Sequence, residues 1–254
     1  MGELIKGGSM KLVSFDLDLP YVKNEERITV IAKENNCDQV EAIRLDYQQN
    51  WKEKRRKFAL QTRCISAFFE RNFGYIVTKD CQKILVECVP VVTNKSVRNF
   101  SGVCAVQVSF DYESFLTLDD VSKKKAVLAL LMTGIRIVVS ESKWDMEPFE
   151  STYFKIVEAD YKNEWIWQKS AKSPDKKHIA NVLLQHEIDR VDISIIVYDS
   201  NKIEVYREKV ISELPDEYAY SNHLGLIKWY SNNSVALSNI NNNREWSVVF
   251  ENDV

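Results

Sequence analysis

Apolar and polar positions along this chain change period in a way that separates extended from helical stretches. From Lys11 to Leu19 the apolar residues Leu12, Phe15, Leu17 and Leu19 fall largely on one side of an alternating pattern, which predicts a strand ending at Pro20. Asn24, followed by Glu25 and Glu26, predicts the capped start of a short helix reaching about Glu34. From Asp38 onward Val40, Ile43, Tyr47, Trp51, Phe58, Ile65, Phe68 and Phe69 recur at steps of three, four or seven. That spacing predicts an amphipathic helix of about nine turns, stopped at Gly74.

Tyr75 to Val92 and Val97 to Phe110 are rich in valine, isoleucine and aromatics, which predicts two or three antiparallel strands, with Pro90 at an end or edge. Thr117 with Asp120 resembles a capping box, and a helix is predicted from about Leu118 to Glu141. Its unbroken run Ala126 to Met132 makes it apolar nearly all round, as a helix at the centre of a core would be. Glu147 to Asp160 fits either a helix after Pro148 or a strand at Phe154 to Val157. The polar, proline-broken stretch Ser170 to Lys177 reads as a connector. Beyond it, short apolar runs separated by Asp, Ser and Asn turns predict a meander. The expected architecture is α+β: a long amphipathic helix and a buried helix packed on antiparallel sheet, then a C-terminal antiparallel β meander. The expected division is residues 11–169 and 178–254 with a boundary near 170–177, or one continuous domain.

Composition narrows what such a fold does. Of seven glycines only Gly74, Gly102, Gly134 and Gly225 lie beyond the first ten residues, so G-x-G-x-x-G, G-x-x-x-x-G-K-[ST] and G-x-S-x-G loops are all missing. A net charge of −3 does not favour nucleic acid as a partner of the whole chain, although Lys52 to Lys57 is a local basic run. The longest apolar run falls far short of a bilayer span of about 20 residues, so no membrane partner is expected. Met1 to Met10 carries no apolar segment of signal-peptide length, and Gly7-Gly8-Ser9-Met10 reads as a linker or an upstream start. Five cysteines without C-x-x-C spacing read as reduced thiols, mostly buried, of a cytoplasmic protein.

Two short motifs carry candidate chemistry. Phe15-Asp16-Leu17-Asp18 resembles the opening motif of haloacid-dehalogenase-type phosphatases, which implies Asp16 as nucleophile and Asp18 as acid/base beside magnesium. Leu19-Pro20 stands where that family has Gly-Thr. Asp80 with Glu87-Cys88-Val89 resembles the PD-(D/E)xK nuclease core, which implies a metal held by Asp80 and Glu87. Val89 occupies the lysine position. His178, His186 and His223 show no metal-ligand spacing. Aromatics crowd the C-terminal half, and Trp165, Trp167, Trp229 and Tyr230 are the candidate partner contacts.

No catalytic residue, cofactor or metal is therefore expected. The reading favoured by the sequence is a non-enzymatic intracellular binding module for another protein, a basic one, in the manner of a bacterial immunity or antitoxin-like protein. The alternative is a metal-dependent hydrolase or nuclease whose carboxylates come from distant strands.

Overall fold

The first apolar stretch forms two strands rather than one, β1 (Met10–Leu12) and β2 (Ser14–Asp18). In the computed structural model, which describes residues 9–251, the backbone N–H groups of Val13 and Ser14 both donate to Gln82 O, at 3.2 and 3.3 Å. At that point the chain changes partner. β1 pairs antiparallel with β3 (Ile76–Thr78), whereas β2 pairs parallel with β4 (Lys83–Val89). Of the linker reading Gly7-Gly8-Ser9-Met10, Gly7 and Gly8 lie outside the described residues and Met10 opens β1.

Between β2 and β4 run three helical segments. Asn24 caps α1 (Glu25–Asn35) as expected, its side chain accepting from Arg27 N at 2.9 Å. Asp38 caps α2 (Gln39–Asp46). A π-helical turn, Tyr47–Trp51, then leads into α3 (Lys52–Phe73), which ends at Gly74 in the left-handed region with φ 74°. The expected single helix is thus continuous in direction but not in phase. Such a turn rotates the residues before it relative to those after, so Val40 is 78% exposed while Ala42 and Asp46 are buried.

Buried Asp46 accepts from Arg27 through Nε and through Nη2 (3.0 Å), from the Tyr21 hydroxyl and from Asn50 Nδ2 (2.9 Å). These bonds, that from Arg27 foremost, hold its carboxyl below the usual range.

The chain continues through β5 (Arg98–Phe100), β6 (Val103–Ser109), α4 (Tyr112–Leu116), α5 (Asp120–Ser142) and α6 (Glu147–Glu158). The sheet order is β2-β4-β6-β5, in which only β5 runs antiparallel to its neighbour. The α+β class stands, but this sheet is mixed where antiparallel pairing was expected. The reason is connectivity: the chain leaving β4 first forms the edge strand β5, and β6 then returns into the place beside β4. Residues 147–158 are helical throughout, with Pro148 in the first turn. Asp119, not Thr117, caps α5 by accepting from Ser122 N, and Thr117 instead ends α4.

The core of this unit, Met1–Tyr161, lies between one sheet face and α3, α5 and α6. Phe15 is fully buried there, edge-on to Phe69 and Phe73 with centroids 4.8 and 4.9 Å away, and each such pair adds about 0.5–1.5 kcal/mol to its burial. The outer edge of β2 is closed by α3, where Glu70 accepts from Phe15 N at 2.8 Å and Ser14 Oγ at 3.1 Å. α5 lies directly on β4 and β6. Its Gly134 permits this, because a Cβ there would sit 2.4 Å from Val86 Cγ2.

The second unit, Lys162–Val254, consists of two antiparallel meanders. One is β7 (Asn163–Lys172), β8 (Ile179–His186), β9 (Val191–Tyr198) and β10 (Glu204–Glu213); the other, after α7 (Glu217–Tyr220), is β11 (Leu226–Trp229), β12 (Ser234–Ser238) and β13 (Glu245–Val249). They face each other across a core of Val182, Leu184, Ile193, Ile195, Val235 and Leu237, among others. Residues 170–177, read as a connector, are the end of β7 and the tight turn into β8: Ser173 N donates to His178 O at 3.0 Å, and Ser173 Oγ binds Asp175 at 2.6 Å. The two compact units divide between Tyr161 and Lys162.

Gly134→Ala is expected to lower stability by about 1–3 kcal/mol, because overpacking outweighs the usual helix gain of about 1 kcal/mol. Urea unfolding measures this, and an unchanged midpoint would place α5 farther from the sheet. Asp46→Asn is expected to cost about 2 kcal/mol, below the value for a fully buried pair because the Arg27 side chain is 36% exposed. Asp46 loses its proton more readily folded than unfolded. Its contribution is therefore complete above the unfolded aspartate value of about 3.9 and declines as pH falls through the lower folded value. Unfolding measured between neutral and acidic pH should show a shallower decline in Asp46→Asn than in the parent chain.

Candidate functional site

Parallel strands send their following loops to the same end of a sheet, and ligands of open α/β sheets commonly bind there. In the first unit Leu19-Pro20, Pro90 and Ser109-Phe110 gather beyond β2, β4 and β6, around a cavity of about 370 Å³. Trp51 reaches it from the π-helical turn. Its Nε1 donates to Leu19 O at 3.1 Å, and its ring stands edge-on to Tyr21.

Lys54, in the first turn of α3, places its Nζ 4.2 Å from the Tyr112 ring centroid and 5.0 Å from that of Trp51. Glu113 Oε1 accepts from it at 2.8 Å. The ammonium is thus held by two aromatic faces and a carboxylate, an arrangement worth about 0.5–1 kcal/mol per ring where solvent reaches it. Burial raises the Tyr112 hydroxyl above its ordinary pKa. Asp111 caps α4, and hydrogen bonds from Ser114 keep its carboxyl below the usual range.

A second depression, of about 590 Å³, shares Ser109, Phe110 and Asp111 with the first and continues along α5 past Ala126, Ala129 and Leu130. Together the two offer an apolar floor with acidic groups and one lysine at its rim. Sequence reasoning missed this site. Its residues come from the helix of the basic run, from a strand end and from α4, which no periodicity announced. The available signal was Pro20 and Pro90 closing two strands that prove to be parallel neighbours.

The carboxylates singled out by motif lie elsewhere, and three of the four are occupied. Asp16 binds Lys83 Nζ at 2.5 Å and Arg63 at 3.4 Å. Asp18 forms a two-pronged pair with Arg55, at 2.7 and 2.8 Å. Register sets Asp18 directly opposite Glu87, so the sheet does bring these two together, but Glu87 is paired in turn with Arg98. Asp80 lies in the turn after β3, near the opposite end of the sheet, where its backbone oxygen accepts from Asn99. A nucleophile or metal ligand needs an available carboxylate, and Asp16, Asp18 and Glu87 are each engaged by a cation. Among the described residues no three His, Cys, Asp or Glu side chains gather in a way that could hold a metal ion.

The basic run is partly consumed as well, by the Arg55–Asp18, Lys54–Glu113 and Arg56–Glu53 pairs. Of the four aromatic candidates, Trp165, Trp167 and Trp229 pack against the core of the second unit. Trp229 Nε1 also donates to Ala171 O at 3.0 Å. Tyr230 is exposed, its hydroxyl bound to Glu245 at 2.7 Å. His178 lies beside Trp229 and Phe250, His186 beside Tyr220, and His223 against Glu213 and Trp246.

Among the described residues no helix is long and apolar enough to cross a membrane. Compared with known proteins, the chain matches no family model, no curated protein and no solved structure.

The ion pairs lead to an expected result for the motif carboxylates. Addition of Mg²⁺ or Mn²⁺ should leave the melting temperature unchanged, and Asp18→Ala should cost about 1 kcal/mol through loss of the partly exposed Arg55 pair. Thermal unfolding checks both. A metal-dependent rise in melting temperature that Asp16→Ala abolishes would reinstate the metal-site reading.

Proposed function

We propose that the protein is a non-enzymatic binding module that holds an extended, largely apolar segment of a partner protein at the carboxyl ends of β2, β4 and β6. The observation that carries this reading is the continuity of the two depressions through Ser109, Phe110 and Asp111. Their combined floor suits successive apolar side chains better than a single small ligand. Pockets of this kind take orientation from a few polar groups, and here Lys54, Asp111 and Glu113 stand at the rim. Acidic Asp119 and Asp120 follow closely in sequence, and with a net charge of −3 the chain suits a basic partner, whose approach long-range attraction would speed. Unpaired thiols suit a reducing compartment such as the cytoplasm.

One form of this reading is a bacterial immunity or antitoxin-like protein that neutralises a basic toxin by sequestration. It requires that the captured partner be harmful alone and harmless when co-expressed with this chain.

Affinity capture with the tagged chain should recover a stoichiometric polypeptide partner. Ala129→Arg places a long cation in the second depression at an exposed helix position, and should weaken capture at least tenfold, about 1.4 kcal/mol, with little change in melting temperature. Tyr230→Ala should leave capture intact. The opposite pattern, binding lost with Tyr230→Ala and kept with Ala129→Arg, would move the contact to the second unit.

A further inference from the structure

Three groups surround the Lys54 ammonium, and each is positioned by contacts of its own. Trp51 is fixed by its Nε1 bond to Leu19 O and by the Tyr21 ring, edge-on at 5.8 Å. Tyr112 stands edge-on to Phe58 and Phe110, with centroids 6.3 and 6.5 Å away. Glu113 lies in the first turn of α4, whose cap, Asp111, accepts from Glu113 N at 3.0 Å and from Ser114 N at 3.2 Å. The enclosure is thus held open without Lys54, and its residues also wall the cavity of about 370 Å³.

Lys54 is bound there only loosely. Its side chain is 25% exposed and that of Glu113 75%, so solvent screens the ion pair, and fixing two long side chains offsets much of its gain. A flexible stem joins the ammonium to α3 and lets it swing into water. Two acids face this single cation, because Asp111 and Glu113 both line the cavity.

We propose that the enclosure of Trp51, Tyr112 and Glu113 receives a lysine side chain of the partner protein, and that Lys54 is its built-in competitor. The inference rests on the binding-module reading above and names the group by which a basic partner is recognised. An alkylammonium fits: Lys54 Nζ lies 4.2 Å from the Tyr112 ring centroid, 5.0 Å from that of Trp51 and 2.8 Å from Glu113 Oε1. Pro20, Pro90 and Phe110 in the adjoining cavity offer an apolar surface for the incoming stem. Exchange replaces one cation by another, so the Glu113 carboxylate and both ring faces keep a partner throughout. The competition also makes the site selective. A segment without a cation at this point leaves Lys54 in place and gains nothing there.

The test uses n-butylammonium chloride as probe and n-butanol as its neutral counterpart, at constant ionic strength, on the full chain with isotope-labelled indole nitrogens. Trp51→Phe identifies the Trp51 resonance. In Lys54→Ala that resonance should shift saturably with n-butylammonium, at an affinity at least about tenfold above the parent chain's, because neither occupant nor like charge remains. Adding Glu113→Gln should weaken the ammonium again, and n-butanol should shift the resonance far less. Equal affinity in the parent and Lys54→Ala, or equal response to n-butanol and n-butylammonium, would overturn the proposal. Lys54→Gln, which removes the charge and keeps part of the stem, decides the point if Lys54→Ala does not fold. The probe needs no partner, so the two readings fail separately. Capture of a polypeptide that Ala129→Arg weakens, with no ammonium binding, overturns this inference alone; ammonium binding with no polypeptide captured strikes the partner reading and leaves the cation site standing.

Discussion

The first unit depends on how closely α5 lies against β4 and β6. One face of α5, with Val127, Leu128, Leu131, Ile135 and Val138, is buried, while Lys125, Ala129, Thr133 and Arg136 stay exposed on the other, and only a residue without a side chain lets its backbone descend onto Val86 and Val106 at Gly134. With α5 seated there, α3 and α6 complete the layer around Phe15, Phe69 and Phe149. Among the described residues the core helices α3, α5 and α6 gather on one sheet face. The other carries Asp16, Asp18, Lys83 and Glu87 in mutual and helix-borne ion pairs, which accounts for carboxylates that resemble catalytic motifs in sequence.

Much of this was legible from residue pattern. Asn24 as a cap, Gly74 as a stop and the C-terminal meander follow from local rules that the structure obeys, whereas of the run Ala126 to Met132 only Val127, Leu128, Leu131 and Met132 are buried, and Ala126, Ala129 and Leu130 line the second depression. Pairing was not legible. Alternation in β4 and β6 is the same whether neighbours are parallel or antiparallel, and nothing local states that β5 takes the edge while β6 returns beside β4. The candidate site suffered from this directly, because it exists only where three parallel strands end together. The aromatic excess misled for a related reason: in a two-sheet core Trp165, Trp167 and Trp229 fill space between meanders, and sequence alone does not separate that use from exposure.

Few glycines do not leave the turns unsupported. Left-handed backbone falls on Lys143, Lys176, Lys202 and Asn242, among others, each at a cost of about 1–2 kcal/mol. Neighbouring side chains offset it. Asp199 accepts from Asn201 N and Ile203 N around Lys202, and Asn239 accepts from Asn243 N and Arg244 N around Asn242. The polar residue shapes the loop from its start, and whichever residue comes three places later adopts the unusual angle.

The π-helical turn at Tyr47–Trp51 sets two phases in one helix. Upstream of it, the helix turns Asp46 toward Arg27 and Tyr21; downstream, it turns Phe58 and Ile65 into the main core, with Trp51 at the junction. An ordinary α-helix advances by 100° per residue. Excising a single residue between this turn and Phe58 would therefore swing α2 by more than a quarter of a circle against the later part of α3, and no one side chain could serve both ends afterwards. Lengths between Asp38 and Phe58 are constrained by rotation rather than by reach. In this segment insertions and deletions are the severe changes, while many single substitutions on its exposed side are mild.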